Sequence, residues 1–100
     1  MNIDSLKQLL TTDIVTVIFT KKDRSKREMV CTTISDYLPP VSKVEHIKYP
    51  SEKLVTVWDL EANGWRSFNF DSVLSIETDY FNYTVEKING TTIYSRLFNF

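Results

Sequence analysis

The stretch that decides the fold is KLVTVWDLEANGWRSFNFDSVLSIE, residues 53–77. Residues 54–60 and 65–70 are rich in Val, Thr and aromatic side chains, which favour a pleated strand, and the cluster Glu61-Ala62-Asn63-Gly64 between them is typical of a turn. The stretch therefore predicts a β-hairpin. Asp71 and Ser72 then interrupt the apolar pattern before Val73 resumes it, which indicates a tight corner leading into a third strand. Two strands, a corner and a further strand favour a small barrel.

One basic residue stands out in the return strand of this hairpin. Side chains alternate between the two faces of a strand, so Arg66 is predicted to point the same way as Phe68 and Phe70. Trp65 and Asn69 then lie on the other face.

Several spaced motifs resemble those of the WYL family, which is named for a Trp-Tyr-Leu tripeptide. The tripeptide corresponds to Trp58-Asp59-Leu60, and RSFNFDSV at residues 66–73 is similar to the Arg-x-Phe-x-Leu-Asp-Arg-Ile-like segment that follows it in the family. The short, stand-alone WYL-like proteins of tailed bacteriophages are the nearer match. Their further motifs are similar to Lys22-Asp23, Arg27-Glu28-Met29, residues 57–61 and residues 65–68.

The resemblance, which spans residues 12–77, implies a fold and a ligand class. WYL domains adopt a Sm-like, SH3-type barrel, and those of bacterial regulators are thought to receive nucleic acid or nucleotides through basic positions. It therefore implies Arg66, with neighbouring Trp58, as ligand contacts. Two positions depart from the pattern, because Asp59 replaces the tyrosine of the tripeptide and Ser72 replaces the second arginine.

The rest of the chain completes a mainly β protein. Residues 1–78 are predicted to form a five-stranded Sm-like barrel with a short helix at Ile3–Leu10, capped by Ser5, that covers one end. Strands are expected at 14–20, with apolar cover on both faces, and at 28–34. A proline-containing connection follows at 35–52, in which Lys43, His46 and Lys48 either face a ligand or, as we favour, are exposed polar residues. Residues 79–100 are predicted to extend the same domain as a hairpin, with strands 83–88 and 91–98 around Asn89-Gly90.

Composition limits the function classes. The chain has 100 residues, 42% hydrophobic and 25% charged, which fits one domain, and its net charge of −1 supplies no general attraction to nucleic acid. Cys31 is the only cysteine, so we expect no disulfide, no metal and no cofactor. The sequence contains no glycine-rich phosphate loop and no Ser/His/Asp order typical of a catalytic triad. We therefore expect a protein that is not an enzyme. Neither a signal peptide nor a membrane span is apparent, which predicts a cytoplasmic protein, in the host bacterium if phage-encoded.

Charge is nevertheless concentrated at one predicted hairpin tip. Residues 21–28 carry a net +3 and the rest of the chain −4. The basic residues of the tip either bind phosphates or form a solvated turn. A short run of charged residues is more typical of a solvated turn. Its five basic residues are Lys21, Lys22, Arg24, Lys26 and Arg27.

Two functional hypotheses remain. The first is a regulatory module that binds single-stranded nucleic acid or a nucleotide through Arg66, Trp58 and the basic tip. The second is a protein-interaction factor that binds a host or phage protein, or a second copy of itself, through aromatic residues of the terminal hairpin. The interface residues proposed for it are Tyr83, Tyr94 and Phe98.

Overall fold

The computed structural model describes residues 1–40, 52–88 and 91–98, with side chains for 1–40 and 52–85. This part of the chain contains one α-helix, two short 3₁₀ helices at Ser35–Tyr37 and Phe70–Ser72, and seven strands. The helix and strands, in chain order, are α1 Ile3–Thr12, β1 Val15–Thr20, β2 Lys26–Thr32, β3 Leu54–Asp59, β4 Gly64–Asn69, β5 Val73–Glu77, β6 Phe81–Ile88 and β7 Thr91–Phe98. No helix within the described ranges combines the length and apolar character needed to cross a bilayer.

All seven strands belong to one antiparallel sheet with the order β4-β3-β2-β1-β5-β6-β7. The mainly β fold with an N-terminal helix and a C-terminal hairpin is therefore confirmed. The sheet is open, because β4 and β5 are not hydrogen-bonded neighbours among the described strands. It is strongly curved all the same. The rings of Phe19 in β1 and Phe68 in β4 stack with centroids 5.3 Å apart, although two strands separate β1 from β4 in the sheet order.

The core fills the inner face of this curved sheet. Buried and half-buried residues alternate along β1 and β3, as the pleat dictates. On β1 the side chains of Val15, Val17 and Phe19 are buried, and the outward residues are half-buried, so the predicted cover is complete on the inner face and partial on the outer face. Leu6 and Leu10 of α1 are fully buried against the sheet, as expected for a covering helix.

The helix differs from its prediction at both ends. Its cap is Asn2, whose side chain accepts the backbone N–H of Ser5 at 2.8 Å, because Asn2 is extended and immediately precedes the first turn. Its C-terminal end lies two residues later than predicted. The hydroxyls of Thr11 and Thr12 donate to the carbonyls of Gln8 and Leu9, so these polar residues continue the last turn.

The C-terminal hairpin extends the main sheet, with β6 paired to β5 and β7 paired to β6 along eight residues. Tyr83, a predicted interface residue, is instead buried in the core at 4% exposure. Its hydroxyl accepts a hydrogen bond of 2.9 Å from the N-terminal ammonium of Met1. Burial of its ring leaves no surface for a partner. The other predictions here lie outside the described residues or side chains, namely the Asn89-Gly90 turn, the side chains of Tyr94 and Phe98, and Lys43, His46 and Lys48.

Candidate nucleic-acid interface: a basic groove beside β4

A groove of about 870 Å³ lies between the β1–β2 tip and β4. We call it the basic groove. Its volume is in the range of small-molecule and cofactor sites. Phe19, Met29 and Phe68 provide apolar surface, and the basic side chains of the groove are Lys21, Lys22, Arg27 and Arg66. Two regions far apart in sequence, the tip and the return strand of the central hairpin, thus meet at one site.

Strand register explains why these side chains converge. Arg27 pairs with Phe19 across β1 and β2, and Arg66 pairs with Val57 across β3 and β4. Residues directly opposite each other in an antiparallel sheet share a face, so both arginines lie on the same inner face as buried Phe19 and Val57. Arg66 is exposed and Arg27 half-buried because each lies where the core ends.

Arg27 is held by a buried carboxylate. Its Nη2 donates to Oδ2 of Asp59 at 2.8 Å, and Asp59 is only 2% exposed. The other oxygen of Asp59 accepts the backbone N–H groups of Glu61 and Ala62 at 3.0 and 3.1 Å. A buried carboxylate requires such partners, since an unpaired one is very costly. Arg27, predicted as a nucleic-acid contact at the hairpin tip, belongs to β2 and is ion-paired with Asp59.

Arg66 has a different environment. Its Nη1 donates to the carbonyl of Trp65 at 2.8 Å, and no described carboxylate lies within ion-pair distance of it. The groove also contains Asp71, which pairs with the exposed ammonium of Lys53 at 2.9 Å. That hydrogen bond and charge raise the pKa of Lys53. Within the described chain, the groove cations that form no ion pair are therefore Lys21, Lys22 and Arg66, although the charge of Lys21 also helps to lower the pKa of nearby Asp23.

The tip itself is well ordered by local hydrogen bonds. The Asp23 carboxylate accepts the side-chain hydroxyl and the backbone N–H of Ser25, at 2.5 and 2.9 Å, and these bonds lower the pKa of Asp23. The N–H of Lys21 donates to the carbonyl of Ser25 at 2.7 Å, which closes the turn. Arg24 has a φ of 71°, the left-handed conformation that lets a short turn reverse. Arg24 and Lys26 are exposed but do not line the basic groove.

Trp58 was predicted to neighbour Arg66 in the ligand site, and its position differs. It alternates with buried Val57 and Asp59, so it points to the outer face of the sheet. There its ring contacts Trp65 edge-on, with centroids 5.4 Å apart. Phe70, expected on the strand beside Arg66, lies in the 3₁₀ turn. The aromatic rings near Arg66 in the groove are instead Phe19 and Phe68.

Cys31 has the properties of a core residue. It is fully buried, and its thiol contacts the carbonyl of Val15 at 3.6 Å. Burial, followed by the negative charge of Asp59, raises the pKa of the thiol to about 12. A thiol that stays protonated in this way is a poor nucleophile.

Sequence reasoning missed the pairs Arg27–Asp59 and Lys53–Asp71. Each joins residues that are distant in sequence and only become neighbours through strand pairing and the corner at 70–72. One feature of the sequence pointed to the first of these pairs: a charged residue, Asp59, stands where the family's tripeptide has tyrosine. Because buried carboxylates are paired, Asp59 on a strand of alternating burial implied a nearby cation.

The open, curved antiparallel sheet with its N-terminal helix places the fold in the class of small β-barrel-type domains. The sequence matches the WYL_2 family, described as a Sm-like SH3 beta-barrel fold, over residues 3–74, and the chain belongs to this family. The chain is also 30% identical, over 71% of its length and 72% of the relative, to the "Uncharacterized 11.5 kDa protein in Gp31-cd intergenic region" of Enterobacteria phage T4. Both matches support a small phage protein of WYL-like type. No solved structure matches the chain.

Proposed function

We propose that this protein is a non-enzymatic phage accessory module that binds single-stranded nucleic acid or a nucleotide in the basic groove, in a regulatory role in the host cytoplasm. The observation that carries the proposal is the convergence on one groove, beside Phe19 and Phe68, of three cations that form no ion pair in the described chain: Lys21, Lys22 and Arg66. Cations attract phosphates, and aromatic and apolar surface suits bases.

The arrangement favours a single strand over a duplex. Three unpaired cations over a groove are few for holding a long backbone, and the net charge of −1 adds no long-range attraction. Unstacked bases, in contrast, expose flat faces that the apolar part of a groove accepts. The ligand is therefore bound by local contacts, and its affinity is modest and sensitive to salt.

The affinity for a single strand should fall with salt concentration in proportion to the number of phosphate contacts. Each phosphate contact on a single strand contributes about 0.7 to the slope of log affinity against log salt. Three contacts give a slope of about −2, so raising salt fourfold lowers affinity roughly 20-fold. Replacing one groove cation by alanine reduces the slope by about 0.7.

Fluorescence anisotropy with a labelled single-stranded oligonucleotide tests the proposal. Arg66→Ala and Lys22→Ala are expected to weaken binding and flatten the salt slope. Lys26→Ala is the matched control, because Lys26 is an exposed cation beside the same tip that does not line the groove. The proposal is wrong if the oligonucleotide binds no better than polyglutamate of equal charge, or if all three variants behave alike.

The alternative prediction, a protein interface on the terminal hairpin, now depends on Tyr94 and Phe98, since Tyr83 is in the core. Truncation after Thr78 would remove β6 and β7 together with the buried ring of Tyr83. It would therefore disturb the fold. Single substitutions at Tyr94 and Phe98 with a pull-down from host lysate are the better test.

A further inference from the structure

A second groove lies at the opposite end of β1 from the basic tip. It has a volume of about 420 Å³ and is formed where α1 leads into β1 and where β5 turns into β6. We call it the acidic groove. Its charged side chains are Asp13, Glu77 and Asp79, and Ile14 and Tyr80 contribute apolar surface.

The turn after β5 presents this surface outward. The hydroxyl of Thr78 accepts the backbone N–H groups of Tyr80 and Phe81 at 3.1 and 3.3 Å, and the N–H of Thr78 donates to the carbonyl of Phe81 at 2.9 Å. These bonds tighten the turn. Tyr80 is 64% exposed and Ile14 40% exposed, two of the three large hydrophobic residues that the described chain leaves exposed. These two side chains leave apolar surface open beside the carboxylates of the groove.

The negative charge of the acidic groove is not neutralised by any ion pair within the described chain. No lysine or arginine lines it, and none of its three carboxylates takes part in a described ion pair. Asp13 accepts only the hydroxyl of its neighbour Thr12, at 2.6 Å, among described side-chain bonds. Across the length of β1, about 20 Å, the molecule therefore changes from acidic to basic.

We propose that the acidic groove receives the basic tip of a second copy of this chain, so that copies associate head to tail. The tip is exposed from Lys21 to Lys26 and is held in shape by its own hydrogen bonds. The groove is concave, acidic and partly apolar. Charge complementarity of this kind selects partners and orientation. The contact joins two different surfaces, so repeated copies form an open chain or a ring.

Docking of the tip on a second copy affects the proposed binding of nucleic acid. Lys21 and Lys22 belong both to the tip and to the basic groove. A tip docked in a neighbouring copy presents these lysines to carboxylates instead of phosphates. Single-stranded nucleic acid and self-association therefore compete, and bound oligonucleotide releases monomers.

Sedimentation velocity of the full chain without nucleic acid tests the association. At about 0.1 M salt, where the screening length is about 10 Å, the weight-average mass is expected to rise with concentration well above the 11.7 kDa of the monomer. At about 1 M salt, where the screening length is about 3 Å, it should return to the monomer value.

Two charge-reversal variants locate the contact. Arg24→Asp with Lys26→Glu alters the tip outside the basic groove, and Asp at position 24 tolerates the left-handed backbone. Glu77→Lys with Asp79→Lys alters the acidic groove at two exposed positions. Each double variant alone should be monomeric under low salt. A mixture of the two should associate again, because every contact then joins opposite charges.

The matched control for the acidic-groove variant is Asp36→Lys with Glu61→Lys, which makes the same change of net charge as Glu77→Lys with Asp79→Lys, at exposed positions outside both grooves. It should associate like the unaltered chain. A monomer at every concentration in low salt, or association that both double variants retain, overturns the proposal. Neither result touches the nucleic-acid proposal, since the oligonucleotide assay is separate and its groove cations are unaltered in these variants.

Discussion

Replacing Asp59 by asparagine should lower stability and raise the affinity for nucleic acid. Asparagine keeps the size of the side chain and one oxygen for the N–H groups of Glu61 and Ala62, but removes the charge that holds Arg27. A hydrogen bond to a charged group is worth about 1.5–3 kcal/mol. Because the side chain of Arg27 is 38% exposed, water replaces part of the lost interaction, and we expect about 1.5 kcal/mol.

Equilibrium unfolding in urea measures this cost. The double-mutant cycle of Asp59→Asn and Arg27→Gln isolates the pair, with an expected coupling energy of about 1 kcal/mol. Asp59→Ala should cost about 1–2 kcal/mol more than Asp59→Asn, since it also leaves two turn N–H groups without their acceptor. Coupling below about 0.3 kcal/mol would mean that the ion pair contributes nothing and that the reasoning from burial is wrong.

The same substitution changes the basic groove. Arg27 lines the groove, and without Asp59 its guanidinium has no described carboxylate partner. Anisotropy titration with a single-stranded oligonucleotide should therefore show tighter binding by Asp59→Asn, and a salt slope steeper by about 0.7 for the added phosphate contact. Weaker binding with an unchanged slope would show that Arg27 does not reach the ligand even when it is released.

Two further predictions concern Gly64 and Cys31. A Cβ at Gly64 would lie 3.1 Å from Nη1 of Arg66, so Gly64→Ala should displace this flexible guanidinium and alter the affinity for an oligonucleotide. The free energy of unfolding in urea should change by no more than about 1 kcal/mol, and a large loss of stability would contradict this prediction. The unfolded thiol of Cys31 loses its proton above its ordinary pKa of 9.0, whereas the folded thiol keeps it to about 12. The free energy of unfolding, measured in urea at each pH, should therefore fall as pH rises from 9 towards 12, and it should fall less in Cys31→Ala. An equal dependence of stability on pH in both proteins would refute this prediction.

Local patterns predicted the elements of the fold well. The central hairpin, the corner after Asn69 and the terminal hairpin depend on neighbouring residues, and the strands lie within a few residues of their predicted bounds. The prediction that Ser5 caps the helix is wrong, because Asn2 occupies the position just before the helix. Where two possible N-cap residues lie two or three positions apart, the sequence pattern alone does not decide which of them caps the helix.

The site was harder to predict because curvature determines it. The stacking of Phe19 on Phe68 brings β4 over β1, and only then do the tip lysines and Arg66 border one groove. Alternation alone correctly placed Arg66 with Phe68, but it could not give the register of β3 on β4, which pairs Arg66 with Val57 and leaves Trp58 on the other face. Nor could it show which of two arginines finds a carboxylate.

The choice between those arginines follows from Asp59. Position 59 pairs with fully buried Cys31, so a carboxylate there must be neutralised by a cation on the inner face. Arg27 is on that face, four residues before Cys31 on β2, and it provides the charge at 2.8 Å. Asp59 thereby removes one guanidinium from the basic groove and leaves Arg66 as the arginine available to a phosphate. The proposed phosphate binding would then depend more strongly on Lys21 and Lys22, the same lysines that the proposed docking of the tip on a second copy would occupy.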